Sequence, residues 1–220
     1  MNEAVDQDRT EELDMFADFK AQVRDFIVEH KTDSSRAAAA SSNDSSIIFT
    51  VFFGIWDIWS LADWSAANAT VAVTKSVETL FAQLDLLAAS VRNETGHITV
   101  VLPKVPDPTW LPRWIAERTG PTGSDIYGLA QRQAVTLTEK WNSDLSYHAS
   151  KWRAGTIVLP DFNQWMLDQL RGQERINYGF NRLLFGKYDG TAPLFTELSA
   201  PCLNVTAATT CPDASSHLFW

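Results

Sequence analysis

Three short apolar runs, each stopped by glycine or proline, constrain this 220-residue chain more than any other feature. They are Ile47–Phe53 ahead of Gly54, "HITVVLP" at 97–103, and "TIVLPD" at 156–161. Each is short and nearly continuous in apolar residues, the pattern of a strand covered on both faces. The segments between them change period. Phe16, Phe19, Val23, Phe26 and Ile27 fall on one helical face and predict a helix over 11–30. Val73, Val77, Leu80, Phe81, Leu84 and Leu87 predict a second over 70–91. Leu129, Ala134, Leu137, Trp141 and Leu145 predict a third over 128–152, and "FNQWMLDQLR" a fourth, with loops after Gly172. Strands alternating with helices require right-handed crossovers and a parallel sheet. Ile47–Phe53 is expected to be a central strand of that sheet, which is expected to lie between helical layers.

The whole of 1–220 reads as one domain. Residues 31–46, "KTDSSRAAAASSNDSS", are a low-complexity stretch expected to form a flexible exposed loop. "KVPDPTWLPRW" holds three prolines too close together for regular structure and reads as a long loop after the second strand.

Open α/β sheets bind ligands beyond the carboxyl ends of their strands. Here those ends are Gly54-Ile55-Trp56-Asp57, Pro103-Lys104 and Pro160-Asp161, and all three should meet on one rim. Asp57, Asp107 and Asp161 are candidates for acid–base work there, with helix or turn capping as the bland alternative. The chain carries nine tryptophans and twelve phenylalanines. Trp59, Trp110 and Trp114, with Trp56 and Trp64, could floor a groove on the rim; the alternative is core packing. His30, His97, His148 and His217 have no nearby serine and aspartate in a convincing pattern and are expected to be structural or solvated.

A net charge of −9, with no lysine or arginine cluster, excludes a phosphate backbone as partner. No run approaches the roughly 18 apolar residues of a membrane helix, so no membrane span is expected. The acidic start "MNEAVDQDRTEELDMF" has no apolar signal core, which predicts a cytoplasmic chain as written. Other residues point outward. Asn43, Asn68, Asn93 and Asn204 each open an Asn-x-Ser/Thr triplet. Cys202 and Cys211 are the only cysteines; they form either a small disulfide loop or two free thiols. A secreted protein whose natural N-terminus lies upstream would reconcile these signs. No zinc site, other metal or cofactor is expected.

Against this background, "FTVFFGIWDI" resembles the third conserved block of the GDSL, or SGNH, hydrolases, a buried strand ending in Gly-x-Asn-Asp. "CPDASSHLFW" resembles the approach to their last block, where Phe-Trp precedes Asp-x-x-His. "FKAQVRDFI" and "VLPKVPDPTWLPRW" look like the fungal branch that carries Gly-Ile-Trp-Asp. The resemblance runs from residue 16 to 220. It implies an incomplete three-layer α/β/α, flavodoxin-like fold and serine ester hydrolysis of a carbohydrate or acyl ester. In that chemistry a histidine activates a weak serine nucleophile, and preorganised donors hold the oxyanion. Gly54 matches the glycine of the third block, Trp56 stands where the asparagine donor would be, and Asp57 matches the bracing aspartate. No Gly-Asp-Ser occurs anywhere in the sequence, and no Asp-x-x-His follows the Phe-Trp pair. The resemblance places both outside the chain, so no catalytic residue is assigned and a fragment or inactive homologue is expected. The alternative is a non-enzymatic accessory or ligand-binding protein, of the kind encoded with fungal secondary-metabolite biosynthesis. Either way the expected partner is a small ester or glycoside-like molecule.

Overall fold

The computed structural model describes residues 18–32, 46–92, 97–111, 114, 125–177, 194–197, 202–204 and 209–218. The molecule is mixed α/β, with five helices and a small parallel sheet of three strands among the described residues. In chain order the elements are α1 (Phe19–Thr32), β1 (Ser46–Thr50), α2 (Ile55–Leu61), α3 (Ala66–Val91), β2 (His97–Val101), α4 (Asp125–Lys151), β3 (Thr156–Val158) and α5 (Phe162–Asn177). A 3-10 turn spans Pro108–Trp110. A two-residue antiparallel ladder, β4 (Leu203–Asn204) with β5 (Thr209–Thr210), follows.

The sheet order is β1-β2-β3, and both pairings are parallel. Consecutive strands that step the same way through right-handed crossovers must carry their helices on one face. The register agrees: Ile47 faces Ile98, Phe49 faces Val100, and Val100 faces Ile157, so one face carries the apolar set. On that face α3 brings Ala69, Val73, Val77, Leu80, Leu84 and Ala88, all buried at helical spacing. From α4 come Ala134, Leu137, Trp141 and Leu145. Helix α1 joins them, with the Phe26 ring edge-on to Phe49 at 5.5 Å. A fully buried valine or leucine here is worth about 1.5–3 kcal/mol, so the α3–α4 seam over the sheet is the main source of stability.

Several expectations are corrected. β1 is an edge strand among the described residues, and β2 is the central one. The second face of β1 is open: Ile48 is 67% exposed. An apolar run identifies a strand but not its place in the sheet, so edge and centre read alike in sequence. Helix α3 begins at Ala66 because Ser65 caps it, accepting from the Asn68 N–H. Helix α5 runs through Gly172 to Asn177, where loops were expected; one glycine costs a helix only about 1 kcal/mol. Most of the 31–46 segment, and Phe16, lie outside the described residues. No helix of the described residues is long and apolar enough to cross a membrane.

Candidate functional site

The carboxyl ends of the three strands do share one rim. The Val51 N–H donates to Val101 O at 2.9 Å, Leu102 N–H to Val158 O at 2.9 Å, and Lys104 N–H to Pro160 O at 2.9 Å. From this rim β1 turns into α2 through Gly54, whose φ of 118° is left-handed. A Cβ at Gly54 would lie 2.5 Å from Trp141 Cε2 and 2.8 Å from Val105 Cγ2. Both constraints admit only glycine: the backbone strains any L side chain, and the space is already filled. The turn thus seals the first strand end against α4 and the loop after β2. Asn142 of α4 clamps that loop from below. Its Nδ2 donates to Val105 O and its Oδ1 accepts from the Val105 N–H, both at 2.8 Å.

Gly54 starts α2 and so aims its first turn. Ile58 and Leu61 go inward to the core, and Asp57, between them and the turn, faces α3. There Ser76 Oγ donates to Asp57 Oδ1 at 3.3 Å. Burial pushes the Asp57 carboxyl above the ordinary carboxylate range, against the opposing pull of the Ser76 hydrogen bond. Asp57 and Ser76 border a cleft of about 430 Å³ between α1, the end of β1, α3 and α4. Its apolar walls are Phe19, Phe53, Leu80 and Trp141, and its polar groups include Lys20, Lys75 and Gln83. Phe19 and Phe53 meet with ring centroids 5.0 Å apart. Trp141 is 2% exposed, and its indole Nε1 has no hydrogen-bond acceptor among the described residues. No histidine is among the described residues that line the cleft.

The other two rim aspartates do structural work. Asp161 caps α5, its Oδ1 accepting from the Gln164 N–H at 3.0 Å, while Lys104 Nζ donates to its other oxygen at 2.7 Å. The Lys104 hydrogen bond holds the Asp161 carboxyl below its ordinary value. Asp107 caps the 3-10 turn by accepting from the Thr109 N–H at 2.9 Å, and its own N–H donates to Asn163 Oδ1.

The tryptophans divide. Trp56 is 60% exposed and stacks on Trp59 at 5.6 Å. Trp59 tilts over Trp114 at 6.0 Å, and Trp114 is a core residue at 3% exposure. Trp110 is half-buried in the 3-10 turn, which touches α2. Trp64 is exposed, and its carbonyl accepts from Gln133 Nε2. The tryptophans expected to floor a groove on the rim are therefore partly core. The cleft is lined instead by Phe19, Phe53 and Trp141, from three separate elements.

The histidines stand elsewhere. His148 stacks on Phe81 at 5.2 Å, and His30 stacks on Phe26 at 5.2 Å. His97 opens β2 and is exposed. Among the described residues, a grouping of a serine, a carboxylate and a histidine comes together near the C-terminus. Ser216 Oγ donates to Asp213 Oδ2 at 2.9 Å, and His217 Nε2 lies 3.5 Å from Asp213 Oδ1. Its order differs from a triad: the carboxylate stands in the middle, where a triad places the imidazole. Ser216 is the main cause that lowers the Asp213 carboxyl.

Cys202 and Cys211 are joined as a disulfide, with Cα atoms 5.0 Å apart, beside the β4–β5 ladder. The thiols are thereby removed from any metal site with Asp213 and His217. Asn68 is exposed in the first turn of α3, and Asn204 lies on β4. Asn43 and Asn93 lie outside the described residues. No protein-family model, curated protein or solved structure matches the chain.

Proposed function

We propose that this chain is a relative of the GDSL/SGNH ester hydrolases that binds a small ester- or glycoside-like ligand at its strand-end rim without cleaving it. The observation that carries this reading is the Gly54–Asp57 turn. Four residues beyond the end of parallel strand β1 the chain turns through a glycine whose conformation and packing exclude every other residue, and an aspartate one turn on braces it to α3. The third block of that family asks for a glycine and an aspartate at those two places, in a three-layer α/β/α sheet. Trp56 departs from the block. It stands in place of the asparagine donor, its ring is exposed, and it stacks on Trp59.

Binding is favoured over turnover by what surrounds the cleft. Among its described lining residues Ser76 is the serine, its hydroxyl donates to a carboxylate, and no histidine is there to take its proton. A serine without a base is a weak nucleophile. The same observation supports the accessory, non-enzymatic alternative, which differs only in ancestry. Purified chain assayed with p-nitrophenyl acetate tests the reading. Hydrolysis no faster than with heat-denatured chain is expected. Saturable turnover abolished by a serine-directed phosphonate would overturn it.

A further inference from the structure

The cleft beside Asp57 has a composition that narrows its ligand. Its charged groups cancel, with Lys20 and Lys75 against Asp18 and Asp57. Neither lysine makes an ion pair within 4.0 Å among the described residues, and the Asp18 carboxylate is engaged by the Ala21 N–H at the start of α1. Ser76, Thr79 and Gln83 of α3 line the space at one-turn intervals; the Ser76 and Thr79 hydroxyls already donate to Asp57 and to the Lys75 carbonyl, so they offer acceptor oxygens, and Gln83 offers an amide. The Phe19–Phe53 ring pair supplies an apolar wall. Trp141 also lines the cleft, and its N–H is buried with no acceptor among the described residues; an unmet buried donor costs about 1–3 kcal/mol. The volume, about 430 Å³, falls in the range of small-molecule sites, about 300–1,000 Å³.

An organic anion would meet Asp57, and a cation would meet the two lysines. A neutral molecule carrying several hydroxyls meets neither penalty, because its hydroxyls can donate to a carboxylate or hydroxyl oxygen and accept from an ammonium or amide. Its C–H face suits an aromatic wall. We infer that this cleft is a binding site for a neutral sugar-sized polyol, held by the polar groups of Asp57, Ser76 and Lys75, with the Phe19–Phe53 pair in its apolar lining. The inference rests on the ligand-binding part of the proposed function and not on the family resemblance.

The test is calorimetric titration of the full chain with methyl β-glucoside, methyl β-xyloside and N-acetylglucosamine, with sodium acetate and butylamine as charged probes. Saturable binding of at least one sugar is expected, with a change in tryptophan fluorescence. Asp57→Asn and Lys75→Met should each weaken it by about tenfold or more, the loss expected when a hydrogen bond to a charged group goes. Lys75 is exposed on α3, so its variant keeps the test sound if Asp57→Asn misfolds. Binding of none of the sugars, binding of only a charged probe, or sugar affinity unchanged in both variants would overturn the site. Ester turnover without sugar binding would sink the cleft and the non-hydrolysing reading together. Sugar binding alongside ester turnover would sink only the latter.

Discussion

Gly54 and Asp57 are the two residues on which the rim depends, and each makes a measurable demand. Gly54→Ala would force an L residue to φ 118° and drive its methyl to 2.5 Å from the Trp141 ring. Left-handed strain of about 1–2 kcal/mol and overpacking of about 1–3 kcal/mol give an expected loss of about 2–5 kcal/mol. Urea denaturation followed by far-ultraviolet circular dichroism would read it, and an unchanged midpoint would contradict the geometry. Asp57 makes the opposite demand. Its burial raises the folded carboxyl above the unfolded value of 3.8, so the folded state holds the proton more tightly. Its favourable contribution is full below that unfolded value and is lost as pH rises through the folded one, leaving a buried charge at neutrality. Asp57→Asn keeps an oxygen for Ser76 and removes the charge. The variant should therefore melt higher than the parent at pH 7, with the gain vanishing towards pH 3. A variant that melts lower at neutral pH would show that the ionised carboxylate has a partner strong enough to offset its burial.

At the scale of elements, the strands were legible because glycine and proline cut each apolar run sharply: Gly54, Pro103 and Pro160. What the runs could not reveal is rank within the sheet. Ile47 and Ile48 look equivalent in sequence, yet one packs on the core and the other is open, because alternation sends neighbours to opposite faces. The start of α3 was hidden for a different reason. Ala66, Ala67 and Asn68 carry no apolar stripe, and the Ser65 cap is what begins the helix. A strand that is at the edge among the described residues and exposes Ile48, in a molecule that also exposes Phe52 and Val158, is an association hazard. Ile48→Lys should move the chain towards monomer in sedimentation velocity at high concentration. An identical distribution for parent and variant would mean that this face plays no part in self-association.

At the scale of the molecule, the Gly54–Asp57 turn was readable because four adjacent residues encode it. The cleft was not, since Lys75 and Ser76 come from α3, Phe19 from α1 and Trp141 from α4, and only the folded crossovers bring them together. Asn142 was missed for the same reason: a mid-helix asparagine gives no sign in sequence that it will clamp Val105. Among its described residues the cleft offers a carboxyl, hydroxyls, ammonium groups and aromatic walls, the groups on which the proposed binding rests. The most direct measurement is the intact mass of the chain after exposure to a serine-directed fluorophosphonate, alongside its rate with p-nitrophenyl acetate. The account requires an unmodified mass and no enzyme-dependent rate. A stoichiometric adduct on one serine, with turnover lost in step, would contradict it.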